Sequence, residues 1–140
     1  GGGAALGAVA AAEGLPAFSA KVSGHTTQKT RASGADSVRF QFGPGAPEPE
    51  PSPGAHLVAL RAPARDGWVA GLAGTRVPPK GAEGEEAAFA IEVVVLARPD
   101  SKLGCFMYLP EATLQEWMPE GSTVEVRFVR PLLPVQHDCP

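Results

Sequence analysis

Between Ala87 and Val129 the chain reads as strand, tight turn, strand, short helix and strand, and no other stretch constrains the fold as strongly. Phe89, Ile91, Val93 and Val95 alternate with Ala90, Glu92, Val94 and Leu96. One face is wholly apolar and the other nearly so, the pattern of a strand covered on both sides. It predicts a central strand. Arg98 to Lys102 follows as a polar turn around Pro99, and Gly104 to Leu109 then reads as a second strand. Pro110 suits a first helical turn and Glu111 favours the positive end of the helix dipole. Leu114, Trp117 and Met118 form an i, i+3, i+4 apolar stripe, which together predict a short helix over 110–118 stopped by Pro119. In Thr123 to Val129, Val124, Val126 and Phe128 share one face and Glu125 and Arg127 the other, as in a half-exposed strand.

Upstream the signals are shorter. Phe18, Ala20 and Val22 share a face in a predicted edge strand, and the polar run Ser23 to Asp36 reads as a loop or exposed hairpin. Ser37 to Phe42 alternates cleanly, with Val38, Phe40 and Phe42 inward. His56 to Arg61 and Trp68 to Leu72 flank the turn Arg65-Asp66-Gly67 and predict a hairpin. Between these strands, Gly43 to Gly54 alternates proline with Ala, Glu and Ser, which favours extended chain and forbids a sheet interior. It is expected to be a solvent-exposed loop. Thr75 to Glu86 reads as another surface connection.

The 17 glycines and 15 prolines cluster between apolar runs, pointing to turn-rich β structure. The expectation is a mainly β fold, a small β-sandwich or partly closed β-barrel of about six to eight strands, with an α+β sheet as the alternative. Residues 15–130 form one domain carrying the Pro-rich surface loop 43–54, between a flexible arm at 1–14 and an extended tail at 131–140.

The chemistry sought is mostly missing. His25, His56 and His137 stand at no ligand spacing, and the adjacent trio His137-Asp138-Cys139 points in divergent directions, so no metal site is indicated. Cys105 and Cys139 admit one pairing. They either bridge the second core strand to the tail in an oxidising compartment, or stay as a buried small hydrophobe and a free tail thiol. The lack of a disulfide framework favours the second state, and with it the cytoplasm over secretion. No serine carries the Gly-x-Ser-x-Gly elbow, and no glycine run has the phosphate-cradling ending. Neither catalytic nor cofactor-binding residues are assigned. A formal net charge of -3 disfavours nucleic acid as a partner. No apolar run reaches the roughly eighteen residues of a membrane span, so a soluble chain is expected.

One local element, Phe106 to Leu114 followed by Met118 to Val126, resembles the strand, "Leu-Pro", short helix and "Pro-Glu-Gly-x-x-Val-x-Val" strand of AbrB-like cradle-loop barrels. That resemblance implies a DNA-binding swapped dimer. The basic strand residues of that family are missing here, and no functional residue is carried across.

What remains is a scaffold with apolar residues in its arms. The leading expectation is a non-enzymatic protein-interaction or structural assembly module, self-associating or part of a larger complex. Its partner contacts are placed at Trp68, Leu132, Leu133 and Val135. A ligand-binding or catalytic barrel with a cavity lined by Phe40, Phe42, Tyr108 and Trp117 is second, and AbrB-like DNA binding third. For Trp68 and Trp117 themselves, core packing is the default expectation.

Overall fold

A computed structural model describes residues 12–30, 34–77, 89–97 and 108–132. Among the described residues six strands are formed: β1 (Phe18–Thr26), β2 (Ser37–Phe42), β3 (His56–Arg61), β4 (Val69–Val77), β5 (Phe89–Val95) and β6 (Thr123–Pro131). Among the described residues a helix, α1 (Glu111–Trp117), precedes β6, and a 3-10 turn spans Gln28–Thr30. The strands close into a barrel in the order β1-β2-β5-β4-β3-β6, every neighbouring pair antiparallel. Pairing of Phe18 with Val126 and of Ala20 with Val124 seals it. The barrel expectation holds and is sharpened, because the sheet is fully closed; neither a sandwich nor a one-sheet α+β arrangement describes it.

Alternation sets the interior. Val38, Phe40 and Phe42 from β2, Val58 and Leu60 from β3, Phe89, Ile91, Val93 and Val95 from β5, and Val124 and Val126 from β6 all point inward and are buried. The interior is crowded at Gly71 of β4: a Cβ there would lie 2.7 Å from Val93 Cγ1 and 3.1 Å from Leu60 Cδ1. Even Gly71→Ala is therefore expected to cost about 1–3 kcal/mol by overpacking, read as a fall in the denaturant midpoint. An unchanged midpoint would show that the β3, β4 and β5 side chains do not meet there.

Two ends differ. At one, Leu114 and Met118 of the helix segment and the preceding Leu109 join the interior cluster, so the helix plugs the barrel. Pro110 caps the helix in extended conformation, and a turn at Pro119 to Ser122, with Gly121 at φ +91, leads into β6. That turn is pinned to β1 through Gly121 N to Val22 O, 2.8 Å, and Val22 N to Ser122 O, 2.9 Å. At the other end, the mouth, Phe42 stacks on Phe89 at 4.6 Å and lies 5.8 Å from Phe128, centroid to centroid.

Bulges near the ends re-aim side chains, as they do at barrel rims. The register slips between Val22 and Gly24 of β1, so His25 comes to face the inward-pointing Val38. From there its Nε2 lies 2.8 Å from the Met118 carbonyl. A second slip between Ala73 and Arg76 sets Arg76 opposite inward-facing Ile91, where it meets Glu48 at 3.2 Å. A third separates Leu57 from Val58 along the β3–β6 pair.

Several boundaries move from those expected. β1 runs on through Gly24 to Thr26, inside the stretch expected to be a loop, because the bulge absorbs the polar residues without breaking the pairing. β4 extends to Val77, beyond the connection expected from Thr75. The tail was expected from 131, yet β6 includes Pro131, opposite His56, and the Leu132 amide donates to the Ala55 carbonyl at 2.8 Å. A strand end tolerates proline because little pairing follows it. Of the strand expected over Gly104 to Leu109, Tyr108 forms an isolated antiparallel bridge with Leu96, and residues 104–107 lie outside the described residues. The arm residue Ala12 is buried, and its carbonyl accepts from the Leu15 amide at 2.9 Å.

Candidate functional site at the Trp68 face

A second apolar cluster sits on the outside of the barrel: Leu57, Ala70, Leu72 and Leu96 are buried there, with Ala55, Tyr108, Val129 and Leu132 packed on them. Leu132, one of the expected partner contacts, thus packs on the chain's own body. Leu133 and Val135 lie outside the described residues.

Trp68 stands apart from that cluster. It precedes β4 on the outer face, in line with Arg61 of β3 and Glu125 of β6, since Leu60 pairs with Val69 and Arg61 with Glu125. The Arg127 guanidinium carbon lies 4.1 Å from the Trp68 ring centroid and that of Arg61 lies 5.3 Å away. β3 separates β4 from β6, so the ring reaches Arg127 only because β3 presents Ala59 opposite it, a residue with nothing beyond Cβ. Arg61 donates from Nε (2.7 Å) and from Nη2 to Glu125 Oε1. Arg127 donates through Nη1 to the Ala12 carbonyl at 3.3 Å, while its buried Nε has no hydrogen-bond partner.

The β3–β4 connection supplies a second stack. Arg65 places its guanidinium carbon 4.4 Å from the Trp117 ring centroid, over the plugged end. Both tryptophans are half-buried; Trp117 packs against the interior cluster, as the default for such large apolar side chains expects, whereas Trp68 belongs to neither apolar cluster. A guanidinium stacked on an indole contributes about 0.5–2 kcal/mol depending on desolvation.

Residues expected to act elsewhere are not brought together. Phe40 and Phe42 are enclosed in the barrel and Trp117, at the end of the helix plug, packs against the same interior cluster, whereas Tyr108 belongs to the outer cluster, so the four do not surround one cavity. His25 and His56 are at opposite ends of the barrel, one at the plug and one at the mouth. Among the described residues no three His, Cys, Asp or Glu side chains gather to hold a metal ion, and no helix is long and apolar enough to cross a membrane. His137, Cys105 and Cys139 lie outside the described residues.

The tandem arginine–tryptophan arrangement is what residue-by-residue reading missed. The signal was present in the alternation of Glu125 and Arg127 on β6 and in the spacing of Arg61 and Trp68, but it needed the strand order to bring these residues together. The chain matches no family model, no curated protein and no solved structure.

Proposed function

We propose that this chain is a non-enzymatic protein-interaction module that assembles through its Trp68 face. The observation that carries the reading is Trp68 itself, a half-buried indole immediately before β4, with the Arg127 guanidinium carbon of β6 4.1 Å from its ring centroid. Tryptophan and arginine are the residue types that dominate binding energy at protein interfaces, and strands hold them in place before binding. A closed barrel also has no free sheet edge along which a partner strand could add. Association then falls to side chains on the outer wall.

The partner assigned first is a second copy of the chain. The face carries both charge signs, Arg61 and Arg127 beside Glu125, and a two-fold pair brings such a patch onto itself with the signs crossed. DNA binding of the AbrB type ranks below this reading, because the net charge of -3 gives no excess of cations to neutralise phosphates.

Sedimentation equilibrium across micromolar to millimolar protein tests the reading. The wild-type mass is expected to rise with concentration, and Trp68→Ala to weaken the association by about thirtyfold, equivalent to a 2 kcal/mol hot spot. The melting temperature of Trp68→Ala is expected to fall by only a few degrees, since a half-exposed ring contributes modestly to folding. A protein monomeric throughout this range, or a Trp68→Ala variant that associates as tightly as wild type, removes the proposal.

A further inference from the structure

The mouth of the barrel carries a separate groove. The Pro-rich segment, expected to be a solvent-exposed loop and largely exposed, also straps this end: Ala46 packs on the interior cluster and Glu48 pairs with Arg76 of β4 at 3.2 Å. Gly54 N donates to Ser52 Oγ at 3.3 Å, and the following Ala55 carbonyl is held by Leu132. Between this strap and the end of β6 lies a groove of about 440 Å³. Pro49, Pro51 and Pro53 form one wall and Phe128 lies on the other side, with His56 and Arg130 also lining it.

We propose that this groove binds a small planar aromatic carboxylate. Its volume falls in the range of small-molecule sites, roughly 300–1,000 Å³. Pyrrolidine rings and the Phe128 ring offer flat apolar surfaces, which favour a flat ring over a branched aliphatic body. The Phe128 ring is held by a tilted contact with Phe42 at 5.8 Å and a T-shaped contact with His56 at 6.4 Å. The polar groups choose the ligand's charge. Among the described residues, the Arg130 guanidinium has no ion-pair or hydrogen-bond partner, and the ring nitrogens of half-buried His56 have none either. A carboxylate is the group that a free guanidinium receives in paired hydrogen bonds. Glu50 also lines the groove and opposes a second negative charge, so a monoacid is selected over a diacid. The strap's own anchors pre-form the walls, which lowers the ordering cost of binding.

The experiment is a titration of the full chain with 2-naphthoate, followed by amide chemical shifts in nitrogen-15 labelled protein. Saturable shifts are expected at Glu50, Ser52, His56 and Arg130, with a dissociation constant below about 1 mM. Arg130→Gln, an exposed substitution compatible with folding, is expected to weaken binding by about tenfold or more, and the neutral isostere 2-naphthylmethanol to bind wild type more weakly by a similar factor. Trp68→Ala is expected to bind 2-naphthoate as wild type does. Three outcomes each overturn the proposal: no saturation by about 10 mM, affinities that ignore both Arg130 and the ligand charge, or shifts that gather at Trp68 and Arg127 instead.

Discussion

Val93→Asp leaves no folded protein. Val93 is fully buried at the middle of β5, opposite Val38 on one side and Ala73 on the other, and its Cγ1 fills the space left by the missing side chain of Gly71. A carboxylate placed there meets only apolar side chains and gains no hydrogen bond, and an unpaired buried charge costs about 3–5 kcal/mol or more. The lost valine packing adds to this. Domains of this size hold about 5–15 kcal/mol in total, so the variant is expected to show no cooperative melting by circular dichroism. A Val93→Asp protein with a normal melting curve would mean that β5 does not run through the barrel interior.

Phe42→Ala is expected to destabilise the barrel by about 3–5 kcal/mol, the range for truncating a fully buried aromatic side chain. Phe42 is fully buried and joins β2 to two other strands, stacking on Phe89 of β5 and touching Phe128 of β6 across the mouth. Its removal leaves a cavity beneath the Pro-rich strap, and three phenyl rings that support one another are reduced to two. Urea unfolding should show a lower midpoint with an unchanged slope, because the native surface is otherwise the same. A loss below about 1 kcal/mol would place the ring outside the core.

How far these features were legible depends on whether their cause is local. The inward faces of Ser37 to Phe42 and of β6 were readable because strand alternation is a property of consecutive residues. So was the helix, expected over 110–118 and found at Glu111–Trp117 between its Pro110 cap and Met118. A proline and a three-to-four residue apolar spacing mark a helix within one turn or two.

Strand pairing is a relation between distant segments, and there the reading thinned. Nothing in Phe18 to Val22 says that its partner lies more than one hundred residues away, so β1 read as an edge when it is the strand that seals the barrel against β6. The bulges at Val22–Gly24 and Ala73–Arg76 shift the alternation by one residue. That shift put His25 and Arg76 where a strict period of two does not. The Pro-rich loop was rightly excluded from the sheet, but composition alone does not show that Ala46 and Glu48 hold it on the mouth. Likewise, Trp68 was named from the chain as a candidate contact, but its stacking with Arg127 across Ala59 of β3 depends on strand order and was not readable there.

Closure is the claim on which the rest depends, since it removes the sheet edges, fills the interior and leaves the Trp68 face and the strapped mouth as the two surfaces proposed for binding. The direct measurement is the pairing of β1 with β6 in solution by cross-strand nuclear Overhauser effects, together with amide hydrogen exchange. The account predicts contacts joining Ser19 to Glu125 and Ala20 to Val124, with β1 amides exchanging as slowly as those of β2. Absence of these contacts, with β1 amides exchanging as fast as those of the Pro-rich segment, would contradict a closed barrel.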